Sequence, residues 1–188
     1  MQLRLRTLSL ACALAAFSAV AACEDQPFGY IDWSLSPDTA RLYSLARSGL
    51  NFPAGFDFVS ETPVLIESQS AINQWDVALD TRDAQLVVVP AVAFGLDSEA
   101  RVADMGARGF DEISEAPGDT ALYTAGPLRM QVGNLYVVRT RLTVGFFGQR
   151  CFAFSKFTPI ALDEAEGIMD FQFDGNPNCN DRRLRPPN

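Results

Sequence analysis

Beyond Gly49 the chain is built from short apolar or alternating runs broken by glycine and proline, the pattern of an antiparallel sheet protein. The period is cleanest near the C-terminus, where Met169, Phe171 and Phe173 alternate with Ile168, Asp170 and Gln172. A strand of that composition has one apolar face, so it must pack on a second layer. The same texture predicts strands at 56–60, 64–67, 74–79, 85–89, 128–132, 135–143, 151–158 and 168–173. Gly145-Phe146-Phe147-Gly148 is a natural hairpin tip between the two longest of these. The expected fold class is therefore mostly β, with two packed, largely antiparallel sheets. One short helix is expected over 37–48, where Ser36 is an N-cap, Pro37 the first helical residue and Gly49 the terminator. The segment 97–109 reads as either a second short helix or a long loop.

The first residues serve another purpose. MQLRLR carries Arg4 and Arg6, and the fourteen apolar residues that follow are too few to span a bilayer comfortably. This is the layout of a secretory signal. It ends in Val20-Ala21-Ala22-Cys23, which is similar to a bacterial lipobox, whose cysteine takes a lipid and becomes the new N-terminus. Ordinary cleavage after Ala21 is the alternative. Of the four cysteines, Cys12 lies inside the signal, leaving Cys23, Cys151 and Cys179. Lipidation of Cys23 would consume the odd one and leave Cys151 and Cys179 as a disulfide pair. The expected organisation is a signal peptide over 1–22, a lipidated tether over 23–35 and a single β-rich domain over 36–188. The expected location is a bacterial cell envelope, with the chain held to a membrane by its lipid and facing either the periplasm or the outside. Losing Arg4 and Arg6 takes the net charge from −8 to −10.

There is no histidine in 188 residues. That excludes Ser-His-Asp and Cys-His nucleophile pairs and His-ligated zinc. No GxSxG, P-loop, dinucleotide-binding glycine motif or CxxC pair occurs either, so an enzyme is not expected. The acidic balance argues against a nucleic-acid partner. Asp163, Glu164 and Glu166 could be a carboxylate pair for glycoside hydrolysis, but their polar run reads as a solvated turn. The run Asp174 to Asp181 alternates oxygen donors as a calcium loop would. Cys179 and Arg185 stand where an EF-hand loop needs glycine and glutamate, so a tight polar turn is the better account. Trp75 is read as a core anchor sharing a strand face with Val77 and Leu79, and Asp76 as a turn or strand-edge acceptor. The terminal Arg182, Arg183 and Arg185 are expected to pair with nearby acids.

From Trp75-Asp76-Val77-Ala78-Leu79 onward the chain resembles the HmuY family, bacterial lipoproteins named for a haem-binding member. The resemblance is carried by Phe56-Asp57-Phe58 before that run, then Phe110-Asp111-Glu112-Ile113 with Ala116-Pro117. Tyr136-Val137-Val138-Arg139-Thr140 and Phe154-Ser155-Lys156-Phe157 continue it, so that it spans residues 56 to about 173. It implies two packed sheets, a lipid anchor at the envelope and, in haem-binding members, a haem between elements of the scaffold. Two departures stand out: Thr81-Arg82-Asp83-Ala84 replaces the family's asparagine-glycine-glycine turn, and the two histidines that hold iron in the named member are absent. Methionine is the side chain able to replace them, being a neutral soft donor and a known axial ligand. Met130, just before the Tyr136 strand, is the candidate haem ligand, ahead of Met105 and Met169. Tyr123 and Tyr136 are weaker candidates. Packing is the competing role for each methionine. The expected function is non-catalytic binding, with haem, a related tetrapyrrole or a haem-carrying protein as partner. The alternative is a structural or assembly lipoprotein on the same scaffold without a haem site.

Overall fold

The computed structural model describes residues 30–47, 49, 51–145 and 147–187, and the fold below is that of the unit Ile31–Asn188. The signal peptide expected over 1–22 and the lipidation expected at Cys23 fall outside the described residues.

Two five-stranded sheets, each antiparallel throughout, pack face to face. The first has the order β1 (Asp38–Tyr43), β12 (Ile168–Asn176), β11 (Phe154–Asp163), β8 (Asn134–Arg139), β6 (Arg101–Ala107). The second runs β3 (Thr62–Val64), β2 (Gly55–Asp57), β4 (Val77–Arg82), β5 (Gln85–Pro90), β7 (Leu128–Arg129). A separate ribbon pairs β9 (Thr143–Val144) with β10 (Arg150–Cys151). The mostly β, two-sheet expectation is met.

The period-2 pattern explains the layering. Tyr136 and Val138 of β8, Phe157 of β11 and Met169, Phe171 and Phe173 of β12 point inward against Phe56, Phe58, Val77, Leu79, Leu86 and Val88 of the second sheet and its turns. Phe56 meets Phe171 and Phe173 at centroid distances of 5.1 and 4.9 Å, and Tyr136 stacks on Phe157 at 5.1 Å. Leu135 and Val137 point the other way, under a cover of Ile113, Ala116 and Leu184. Burial on both faces is why Leu135-Tyr136-Val137-Val138 is a continuous apolar run instead of an alternating one. The outer face of the second sheet is covered in the same manner by Trp75, Ala91 and Leu45 over Ala78.

Three expectations are corrected. The described residues of the segment, 37–47, contain no helix: Asp38–Tyr43 is β1, which pairs along its length with Ile168–Phe173. A twelve-residue helix is marginal by itself, whereas a strand there buries Leu42 fully and sets Arg41 opposite Asp170, with Nε 2.7 Å from Oδ1. The segment 97–109 is neither helix nor loop but contains β6, which buries Val102 and Ala103 against β8. The Gly145–Gly148 tip is where the sequence places it, but it closes the short ribbon. The strands on either side break at Thr140–Leu142 and Phe152–Ala153.

The register defines two ends of the sandwich. Arg139, Phe154, Asn176 and Arg101 are aligned across the first sheet next to the ribbon. The ribbon end also holds the β2–β3 turn and the single 3-10 turn Ala91–Phe94 that follows β5. The opposite end holds the β4–β5, β7–β8 and β11–β12 turns. Cys151 of β10 and Cys179 beyond β12 form a disulfide at the ribbon end, with Cα atoms 5.4 Å apart. Closing a loop of this length contributes about 3–4 kcal/mol through the unfolded chain. Cys151→Ser with Cys179→Ser should therefore unfold at a lower urea midpoint by about that free energy, with an unchanged far-ultraviolet circular dichroism spectrum in buffer. Loss of less than about 1 kcal/mol would show that the pair does not constrain the chain.

Candidate functional site

Two polar sites stand out, one at each end. At the ribbon end, Asp57 closes β2 and Asp76 immediately precedes β4, while Arg141 follows β8 in the other sheet. Each acid sits beside aromatic neighbours, in Phe56-Asp57-Phe58 and Trp75-Asp76, and so is carried into the interior with them. Asp76 is fully buried. Its carboxylate accepts from the backbone N–H of Phe58 (2.8 Å) and of Arg141 (2.7 Å), and from Arg141 Nη1 (3.2 Å). Arg141 grips Asp57 with both terminal nitrogens, at 2.6 and 3.0 Å. Asp57 also accepts from the Val59 N–H and the Ser60 hydroxyl. One guanidinium thus fastens two acids of the second sheet to the first.

Burial pushes Asp76 up to about 6, because the attraction of Arg141 does not offset the loss of water and Asp57 adds like charge. Burial also acts on Asp57, but the hydrogen bonds from Arg141 and Ser60 outweigh it and hold the group below the usual carboxylate range. The cluster locks structure: its donors and acceptors are spent on one another.

At the opposite end lies an open cleft of about 430 Å³ between the β1 exit and the β11–β12 turn, lined by Ser44, Arg47, Phe52, Thr81, Glu164 and Glu166 among others. Arg47 lies over the rings of Phe52 and Tyr43, 4.9 and 5.4 Å from their centroids, and donates to the Glu166 carbonyl at 2.7 Å. Ser44 Oγ accepts from the Thr81 hydroxyl (2.7 Å) and the Ala46 N–H (3.2 Å). The cleft offers a charged, aromatic shelf beside a hydroxyl that accepts two hydrogen bonds. Gly167 has φ +66°, and a Cβ there would meet Ser44 Cβ at 2.9 Å, so this floor tolerates no larger residue without movement.

The residues singled out in the sequence fall as follows. Met130 is 2% exposed and packs in the interior between the sheets. The Tyr136 hydroxyl donates to the Arg129 carbonyl (3.0 Å) and accepts from the Gln131 N–H (3.1 Å), so it clasps both neighbours of that methionine. Met169 is in the same interior, and Met105 lies against the cluster on the outer face of the first sheet. Burial pushes the phenols of Tyr123 and Tyr136 up to about 12, which opposes the phenolate that iron would need. Asp163 accepts from the Glu166 N–H in the β11–β12 turn, and Glu164 and Glu166 are exposed.

In the 174–181 run, Asn176 Oδ1 accepts from Asn178, and the Asn176 amide donates to the carbonyls of Asp181 and Arg183. Among the described residues, no group of three acidic or cysteine side chains could hold a metal ion. Arg182 pairs with Glu115, and Arg183 with Asp181. Trp75 is buried, but on the outer face with Ala78 and Ala91, not with Val77 and Leu79, because β4 begins only at Val77.

Arg141 is the functional side chain the sequence pattern did not flag, and an acid flanked by aromatics was the signal that could have led to it. Lys156, the single lysine, is also fully buried, with Nζ 2.9 Å from the Phe110 carbonyl, 4.3 Å from the centroid of the Phe110 ring and 3.4 Å from Asp111. Burial lowers its pKa, and Asp111 partly restores it.

No model of a known protein family matches the chain, and none of the curated proteins matches it.

The Asp76 shift has a sign that can be measured. Its folded pKa lies above the unfolded value of 3.8, so its contribution to stability is full below that pH and is lost as pH rises to about 6. The loss is on the order of 3 kcal/mol. Asp57 acts in the opposite sense: its contribution is full above 3.8 and is lost as pH falls from there towards its depressed folded pKa, below the range tested. Urea unfolding of wild type and Asp76→Asn at pH 4, 5, 6 and 7 should show the wild-type advantage shrinking from pH 4 to 6. A difference independent of pH would mean that Asp76 is ionised throughout.

Proposed function

We propose that the chain is an exported protein of a bacterial cell envelope, HmuY-like in scaffold, lipidated at Cys23 and working by non-catalytic binding. The observation that carries this reading is the pairing of Cys151 with Cys179. It suits an oxidising compartment, and it leaves Cys23 as the one cysteine after the signal for which lipidation supplies a use. The two packed sheets are what the HmuY resemblance implies, and the open cleft with its Arg47 shelf is the kind of surface a binding protein presents.

Of the two roles such a scaffold can serve, the structural or assembly role without a haem site is better supported, by the setting of Met130. Haem ligation there would require the thioether to leave the interior and both Tyr136 hydrogen bonds to break. The residue instead does what methionine does in cores and fills an irregular gap. Met130→Ala should cost about 2–4 kcal/mol of stability in urea unfolding.

Two measurements test the reading. Growth with an alkyne-tagged fatty acid should label the wild type and leave Cys23→Ser unlabelled, and an unlabelled wild type would overturn the lipid anchor. Titration of ferric and ferrous haem into the folded protein should leave the Soret band as it is for free haem. A shifted band that Met130→Ala abolishes without unfolding the protein would replace the structural role with haem binding.

A further inference from the structure

We propose that the ribbon end of the sandwich docks on the lipid bilayer, with Val144 and Phe147 of the β9–β10 tip entering the headgroup and acyl boundary. The inference rests on the lipid anchor at Cys23 and adds to it a fixed face for the domain.

The geometry starts at the point where the chain leaves the sandwich. The Ile31 N–H donates to Asn178 Oδ1 at 2.6 Å, and Asn178 Nδ2 donates back to the Ile31 carbonyl at 2.9 Å. This two-way clasp fixes the start of the domain beside Cys179, which is disulfide-bonded to Cys151 of the ribbon. The ribbon tip is also close to this point: a Cβ on Gly145 would lie 2.5 Å from Cys179 Sγ. Cys23 precedes Ile31 by eight residues, a length that spans at most about 29 Å however it runs. A lipid on Cys23 therefore holds this end of the sandwich within about 29 Å of the membrane.

The ribbon tip at that end is apolar, whereas Glu61, Asp97 and Glu99 are exposed elsewhere on the same end. Val144 is 75% exposed and Phe147 56% exposed. Val59 of the β2–β3 turn and Phe94 of the 3-10 turn are exposed at the same end. The tip is held firmly: Gly145 N donates to the Gln149 carbonyl at 2.8 Å, Gly148 N to the Gly145 carbonyl at 2.9 Å and Phe147 N to Gln149 Oε1 at 2.9 Å. A prepared turn loses little further freedom when it inserts.

Charge points the same way. In a chain with net charge −8, residues 120–162 contain no aspartate or glutamate, and over the ribbon itself, 143–151, the one charged residue is Arg150. The ribbon falls within this stretch, and Arg150 is exposed on it. An acid-free apolar tip with one arginine beside it suits a bilayer containing anionic lipid. The acyl anchor would supply attachment, and the tip would add orientation to it.

The test uses the full-length lipidated protein in vesicles of phosphatidylethanolamine and phosphatidylglycerol doped with a phosphatidylcholine brominated in its acyl chains. Phe147→Trp adds a reporter at the tip, and Val132→Trp adds one at the opposite end, in the β7–β8 turn. The emission each adds over the parent chain, which has Trp33 and Trp75, should be quenched at least about twofold more for Phe147→Trp than for Val132→Trp. Equal quenching, or quenching of neither, would overturn docking through the tip and leave that surface to a protein partner or a second copy. Unchanged circular dichroism of both variants keeps the comparison valid. Failure of fatty-acid labelling at Cys23 would remove the anchor itself, whereas labelling with an unquenched tip would remove only this inference.

Discussion

The fold depends on a layer of phenylalanine rings held between two sheets that share no strand. Phe56 and Phe58 enter from one side and Phe157, Phe171 and Phe173 from the other, with centroids about 5 to 6 Å apart and mostly edge to face. Rings of this size fill the roughly 10 Å gap between packed sheets with few contacts left unmade. The interior is apolar except where it reaches the ribbon end, and there Arg141 crosses from one sheet to meet Asp57 and Asp76 of the other. Burial of this triad is favourable only because almost every lone pair and N–H in it has a partner. Removing one member would strand a charge in a place water does not reach, so the triad is a poor candidate for a surface that opens and closes.

Much of the architecture was legible in the sequence because its signals are local. The alternation in Ile168–Phe173, the double-faced run Leu135–Val138 and the glycine-bounded tip each state a strand or turn on their own terms. The helix expected over 37–48 was the instructive failure. Ser36 and Pro37 do have the chemistry of a helix start, but capping contributes a fraction of what β1 gains by pairing with β12, burying Leu42 and setting Arg41 against Asp170. That pairing joins residues some 130 positions apart, which no local window contains. The segment around Met105 was misread for a related reason. Two small or exposed positions in a row hide the period, and only the register with β8 restores it.

The sites were less legible than the fold. Asp57, Asp76 and Arg141 lie far apart along the chain, and nothing at Arg141 itself marks it as a partner of either acid. The Cys151–Cys179 pair could be read because parity constrains cysteines globally: with one of the four expected in a signal and one at a lipobox, two are left for each other. Methionine carries no such constraint. A soft donor near a strand is compatible with a metal or with a core, and the difference lies in what surrounds it. Around Met130 the surroundings are aliphatic and aromatic side chains and a tyrosine clasp on both flanking residues.

The missing histidines then take on a physical meaning beyond the enzymes they exclude. A haem pocket between sheet elements needs ligands, a gap and a path for the porphyrin. In this chain the position proposed for a ligand is occupied by packing between the sheets, and the open space lies outside that core, where Arg47 and the β11–β12 turn form its walls. The two ends are thus chemically divided. The ribbon end has the chain exit, the disulfide, the buried ion triad and an acid-free apolar tip, all features that fix and anchor. The opposite end has an open polar cleft with aromatic footing under an arginine. Anchoring at the ribbon end, as proposed, would present the other end outward and make the cleft the surface that a partner meets.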